Sequence, residues 1–477
     1  MHISFQPKIS TALSLFVVLV ICLTVFAVNK NIVRASGATT THITLSPVAG
    51  SPTNNTTVKG KNFGASETVT LSFDTTPVGT PTTDSSGAFT AMITVPKSAT
   101  PGNHTVSAVG NTSGLTAQAT FLVSTDWPTF GFTNAHTRYN NYENLLSTSN
   151  VATLTADWTG VTGNEPVESS PTVAHKMVFV GSGDGNLYAF DATTGASIWT
   201  GSTGGSIIST PVANNTTVFV GSQDNNLYAF NLKTGATKWM ASTGGAINSS
   251  PVLDKGNVIV GSSDDSLYAF SSSNGSKVWS VATGGHIFSS PAVDSSMVYV
   301  ASEDGKLYAF KESNGAFVWS ASTKQPIDSS PSVANGIVYI GSQDDKLYAF
   351  NSTTGALIWT VSTSGPVDSS PAVAHGIVYA GSFDHSLYAF NATSGKMLWS
   401  TPTNSAIFSS PTVANGLVFV GSDDDNLYAC DITTGAILWS ANIGNVVDSS
   451  PTITNGVIYI GSMGGNLYTF HLPGTLH

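Results

Sequence analysis

Eight positions spaced forty residues apart hold side chains of unlike chemistry: Glu168, Ile208, Asn248, Phe288, Asp328, Asp368, Phe408 and Asp448. Carboxylates interleaved with phenyl rings attract cations and shelter apolar groups. The set is therefore a candidate pocket for a cationic or mixed polar and aromatic ligand, or for a protein segment. A second variable set, Gln223, Glu303, Gln343, Phe383, Asp423 and Met463, falls in turns that would form a rim around the first. The plain alternative is a solvated funnel that binds nothing specific.

Other chemistry finds little footing. There is no nucleophile elbow, no His-Glu-x-x-His helix, no cysteine pair with metal spacing and no phosphate-binding glycine loop ahead of a helix. The ten histidines are scattered, several of them in turns such as those at His175, His375 and His385. From residue 151 onward there are twenty-three Asp and Glu against ten Lys and no Arg. That balance repels nucleic acid.

The elements that position these residues repeat. Ser-Ser-Pro or Ser-Thr-Pro recurs with Pro at 171, 211, 251, 291, 331, 371, 411 and 451, and Leu-Tyr-Ala-Phe or a variant follows each. A Trp closes each of the first seven units, at 199, 239, 279, 319, 359, 399 and 439. Within Pro331 to Trp359, short runs of Val, Ile, Tyr, Phe and Leu alternate with turn residues, and Asn335-Gly336 suits a two-residue hairpin turn. Each unit reads as a four-stranded antiparallel meander whose faces must be buried by its neighbours. The last unit lacks a fourth strand, and Leu154 to Gly160, containing Trp158, supplies one from upstream. Closure on that ribbon predicts an all-β fold, an eight-bladed β-propeller with no open edge. The position three before each Pro then faces the central funnel. The Trp residues serve inter-blade packing, and the Asp of each second turn (184, 224, 264, 304, 344, 384, 424) caps that turn rather than binding calcium.

Ala189-Phe-Asp191-Ala-Thr-Thr194-Gly195-Ala-Ser-Ile-Trp199 resembles the tryptophan-docking motif of the pyrroloquinoline quinone (PQQ) repeat propellers, and Ala429 to Trp439 matches it as well. Other units replace the Asp by Asn231, Asn351, Asn391, Ser271 or Lys311. Asp126-Trp127-Pro-Thr-Phe130-Gly and Thr137-Arg138-Tyr139-Asn140 resemble the segment that opens such domains. The resemblance covers about 126–477 and implies the eight-bladed fold, with Trp158, Trp199, Trp239, Trp279, Trp319, Trp359, Trp399 and Trp439 docked between blades. The family includes quinoprotein dehydrogenases and non-catalytic scaffolds such as the propeller lipoprotein of bacterial outer-membrane assembly. A PQQ enzyme would want cations for three carboxylates, and the adjacent-cysteine pair of many quinoprotein alcohol dehydrogenases is absent.

Ahead of the repeats, twenty-one uncharged residues between Lys8 and Lys30 are long enough to cross a membrane, and residues 1–36 read as a signal peptide or an uncleaved anchor. Everything beyond is then extracytoplasmic, secreted or held at the cell surface. Residues 41–124 alternate in Thr68 to Phe73, Phe89 to Val95 and Asn103 to Val109. They read as a small β-sandwich resembling bacterial immunoglobulin-like modules. Residues 125–150 form an aromatic connector packed on the propeller, which occupies 151–477. Cys430 replaces the Phe of Leu-Tyr-Ala-Phe and is expected as a buried thiol; with Cys22 in the apolar segment, no disulfide is expected.

Three functions fit. The first is a non-catalytic, monomeric scaffold whose acidic funnel takes a protein or small cationic ligand and needs no cofactor or metal. The second is an oxidoreductase using PQQ and calcium, with Asp328 and Asp368 as ligand or base. The third is a purely structural surface component.

Overall fold

The computed structural model describes residues 40–474. The uncharged stretch before Lys30 and Cys22 lie outside the described residues. Among the described residues, no helix is long and apolar enough to cross a membrane.

The type unit shows why the sequence folds as it does. Asn335 and Gly336 both adopt positive φ, 51° and 77°, the twist-matched hairpin turn that joins Ser332–Ala334 to Ile337–Ser342 with Ala334 opposite Ile337. Lys346–Asn351 and Leu357–Ser362 complete the sheet. Between the last two strands the register slips, so that Ala349 faces Trp359 while Phe350 faces Leu357. This bulge re-aims the Trp toward the next sheet, and the slip recurs before Trp199, Trp239, Trp279, Trp319, Trp399 and Trp439.

Among the described residues eight such sheets follow one another, and together they make a β-propeller. In the last one, Asn466–His471 pairs with Thr155–Val161, so the outermost strand comes from ahead of the first unit. Seven indoles lie on the glycine turn of the following sheet, at Gly195, Gly235, Gly275, Gly315, Gly355, Gly395 and Gly435, while Trp439 packs edge-on against Phe470. Trp199 donates Nε1–H to the Leu232 carbonyl at 2.9 Å, and Trp158 on the closing ribbon reaches Ala192 at 3.3 Å. Gly195, with φ of 68°, lies so close that an added Cβ would sit 2.5 Å from the Trp158 ring. A glycine is required there for both reasons.

The Ser-Ser-Pro steps form a belt. The Ser170 N–H donates to Thr210 Oγ1, Thr210 to Ser250 Oγ, and so on through Ser290, Ser330, Ser370 and Ser410 to Ser450, whose N–H returns to Ser170 Oγ at 3.0 Å. Eight buried amides, which short inner strands would otherwise leave unpaired, are thereby satisfied. The first Ser of each step adds ties of its own, as where Ser169 Oγ donates to Ser209 O and accepts from the Gly181 N–H.

Residues 125–143 do more than pack on the propeller: they thread its channel. Trp127 exchanges backbone bonds with Val173, and the carbonyls of Pro128, Asn134, Ala135, Thr137 and Arg138 accept from Ala213, Val293, Val333, Val373 and Val413. The side-chain amides of Asn134 and Asn140 reach Leu253 and Ile453. One segment thus bonds to the inner strand of every sheet, in order, and plugs one end of the channel.

The N-terminal module has a three-stranded sheet (His42–Ser46, Asn55–Lys61, Phe89–Thr94) and a five-stranded one built on Val69–Phe73, Gly102–Gly110 and Thr116–Val123. Their core centres on Val58, Leu71, Phe73, Val106 and Phe121.

Candidate functional site

Each residue three before a Pro lies between the outermost strand of one sheet and the innermost strand of the next. In every sheet, one backbone bond ties this segment to the second turn: Gly183 to Pro166, Gln223 to Ser206, Ser263 to Ala246, Glu303 to His286, Gln343 to Pro326, Phe383 to Pro366, Asp423 to Ala406 and Met463 to Val446. Ring and rim are therefore fixed to each other by main chain, whatever their side chains. The turns are held as firmly. Asp184 accepts the Asn186 N–H through Oδ1 and the Tyr188 hydroxyl through Oδ2, 2.6 Å away. The same Asp–Tyr pair recurs at 224/228, 264/268, 304/308, 344/348, 384/388 and 424/428. Asp224 also takes the Gly204 N–H of the incoming segment. These hydrogen bonds hold the turn carboxylates of Asp184, Asp224, Asp304 and Asp424 below the usual range, against the opposing pull of burial.

The variable side chains meet in pairs. Gln343 Nε2 donates to Asp328 Oδ2 at 2.8 Å, and Gln223 Nε2 to Asn248 Oδ1 at 3.2 Å. Phe383 and Phe408 stack at an angle with centroids 4.1 Å apart, and Phe408 is 41% exposed. Phe288 lies 6.1 Å from the His286 ring. Ile208 and Met463 are half-buried and bring no charge.

The acids divide into two groups on either side of the Phe pair. Burial and then Glu303 push the Asp328 carboxyl up, against the bond from Gln343. Asp368 is pushed up to about 7, first by burial and then by Asp328. Beyond Phe408, Asp448 and Asp423 lie against each other, and both carboxyls are raised, chiefly by burial. For Asp448 the charges of Asp423 and Glu168 add to the effect. Glu168 is open to solvent by area, yet surrounding protein still raises its carboxyl, as a concave mouth would. Oδ1 of each of Asp328, Asp368, Asp423 and Asp448 is buried without a hydrogen-bond partner. These four carboxylates, bare at Oδ1 as the turn residues Asp344 and Asp384 also are, surround the aromatic pair and give the mouth an acidic lining.

The same donor set does not fit PQQ. Its three carboxylates would meet Glu168, Glu303, Asp328, Asp368, Asp423 and Asp448, and the propeller repeats hold no Arg. Arg138 is buried in the plug, on residues that close the other end of the channel. Among the described residues, no group of three His, Cys, Asp or Glu is placed to hold a metal ion. Cys430 is a buried free thiol, pushed up to about 12 chiefly by burial. A cavity of about 520 Å³ lies between the N-terminal module and the propeller. It is lined by Asp126, Lys176, Asn455 and Tyr459 among others, and shares no residue with the ring.

Sequence reasoning did not single out the Asp–Tyr clamp, although the constant Asp-x-x-x-Tyr spacing signals it, nor the belt formed by the Ser-Ser-Pro steps. The plug's reach to every sheet leaves no such signal.

Comparison with known proteins agrees on the repeat. A family model described as the β-propeller of β-alanine-activating enzyme matches residues 167–374, and one described as outer membrane protein assembly factor BamB matches 343–474. A quinohemoprotein alcohol dehydrogenase of Comamonas testosteroni is 30% identical over 101 residues, 21% of this chain and only 14% of that protein's length. Among solved structures, BamB from Moraxella catarrhalis superposes with a TM-score of 0.59 at 20% identity, over 67% of this chain and 99% of its own. The crystal structure of the Comamonas testosteroni dehydrogenase gives 0.66 at 17% identity, over 74% of this chain and 81% of its own. At these identities the likeness is one of fold.

Proposed function

We propose that the chain is an extracytoplasmic, non-catalytic binding scaffold, an eight-bladed propeller behind an immunoglobulin-like module. Its acidic mouth takes a cationic protein segment or small cationic ligand. The observation that carries this reading is the arc Asp328, Asp368, Phe408, Asp448, in which partnerless carboxylate oxygens flank an exposed phenyl ring. A lysine or arginine side chain laid across Phe383 and Phe408 would meet an acid on either side and gain a cation–π contact between them. Because ring and rim are already fixed by backbone bonds, capture orders little of the protein.

Placement outside the cytoplasm is supported by the uncharged stretch before Lys30 and by the match to a family described as an outer membrane assembly factor. The quinoprotein reading is favoured by the 101-residue match to a dehydrogenase and opposed by the charge of the mouth. Calorimetry of the full chain with a Lys-Phe-rich peptide and its Glu-Phe counterpart tests the scaffold. Binding of the cationic peptide alone is expected; equal binding of both, or of neither, would refute it. Dye-linked alcohol oxidation after loading with PQQ and calcium would instead establish the enzyme.

A further inference from the structure

The plug holds an unmatched charge. Arg138 is 1% exposed, and its Nε and Nη2 have no hydrogen-bond partner. Among the described residues it has no carboxylate at ion-pair distance; Glu143, the nearest acid along the chain, is occupied by the N–H groups of Leu145, Leu146 and Gly456. The guanidinium lies 4.0 Å above the Phe130 ring, whose other close neighbour is the His136 imidazole at 5.0 Å. His136 cannot offset the charge. Burial and then Arg138 push it down to about 3, and a bond to the Pro331 carbonyl engages its ring while Nδ1 is left bare. Burial alone lowers Arg138 to about 9. Thr129 Oγ1, nine residues ahead of Arg138 in the same segment, is also buried without a partner.

Four unsatisfied buried atoms thus fall within ten residues, in a molecule whose serine belt leaves no amide of its ring unpaired. The backbone is constrained at the same place, since His136 and Arg138 both adopt left-handed φ, 56° and 52°. A buried guanidinium without a counter-ion costs several kcal/mol, and a π-face recovers only part of that.

The free edge of the guanidinium identifies the missing group. Nε and Nη2 form the side-on fork that pairs with two oxygens of one planar or tetrahedral anion. We propose that the Arg138 fork in the channel plug is a structural site for a small oxyanion of the carboxylate, bicarbonate or phosphate class. The site is independent of the acidic mouth. Because the fork is sealed from solvent, the anion is taken up as the plug is laid into the channel and exchanges slowly afterwards.

The test is refolding of the full chain from denaturant in chloride buffer freed of bicarbonate, with graded acetate, bicarbonate or phosphate. Melting temperature is then read at constant ionic strength. At least one oxyanion should raise it by about 1.5 °C per tenfold concentration above the dissociation constant, a slope set by linkage for a protein of this size. The acetate, bicarbonate and phosphate arms identify which member of the class is held. Arg138→Lys keeps the charge without the fork and should lose the slope; Arg138→Met should lose it as well. Should neither variant fold, ion chromatography of native protein, washed and then denatured, should find about one oxyanion per chain. Equal melting in every anion, an equal slope in a variant that folds, or no released oxyanion overturns the proposal and leaves Arg138 held by Phe130 alone.

Discussion

The two ends of the propeller channel are built from opposite materials. At the mouth, the repeat itself supplies the surface: the same backbone bond ties ring segment to turn in every sheet, while side chains at the ring and rim positions differ in chemistry. At the plugged end nothing repeats. A single segment with its own turn and its own buried Trp127 and Arg138 bonds to each sheet in succession. The difference separates duties. Where a non-repetitive segment is consumed in closing the ring, its residues should matter to stability. Where repeated backbone already closes it, side chains are free to differ and to bind.

That contrast can be broken from the plugged end first. Trp127, 2% exposed and packed at 4.9 Å against Phe132, should cost about 3–5 kcal/mol on truncation to Ala, read by denaturant unfolding. A smaller loss would mean the plug is an accessory. Next comes the belt. Ser170→Ala strands the Ser450 N–H and should cost about 1–3 kcal/mol, although it changes a single atom. At the mouth the order inverts. Replacing Asp328, Asp368 and Asp448 together by Asn should weaken the cationic peptide at least about tenfold, or roughly 1.4 kcal/mol, without lowering stability. A triple variant that unfolds early would show that the acids serve the fold.

The smallest effect is one of pH. Asp368 titrates in the folded protein at about 7, above its ordinary value, so folding favours its protonated form. Its contribution is complete below about pH 4 and is lost as pH rises through 7. Asp328, Asp423 and Asp448 shift in the same direction. The lowered turn carboxylates change only at more acidic pH, so they do not mask the effect. Melting temperature should fall by about 2 °C between pH 5 and pH 8 in the wild type and hold steady in the triple Asn variant.

Much of the propeller was legible because its signals are local and repeated. Asn335-Gly336 announces its turn, and the short count of Trp residues after Leu-Tyr-Ala-Phe directs attention to Trp158 upstream. The funnel set was legible by elimination, as the position that varies while its neighbours do not. What the sequence conceals is pairing across sheets. Nothing local joins Phe383 to Phe408, or sets Asp423 against Asp448, because each partner belongs to a different unit. The plug is hidden for another reason: most of its bonds run through backbone carbonyls, which any residue carries, and its segment occurs only once. Arg138 looks like part of an opening motif until its fork is seen to be empty-handed.

The most direct measurement is the proton balance of capture. Calorimetric titration of the full chain with the Lys-Phe-rich peptide, at pH 7 in two buffers of different ionisation enthalpy, counts the protons exchanged. A cation laid across Phe383 and Phe408 must displace the protons that Asp368 and Asp448, both pushed up to about 7, still hold there. Net release of up to about one proton per peptide is predicted, vanishing in the triple Asn variant. Binding with no proton released, or with uptake, would place the partner somewhere other than the acidic mouth.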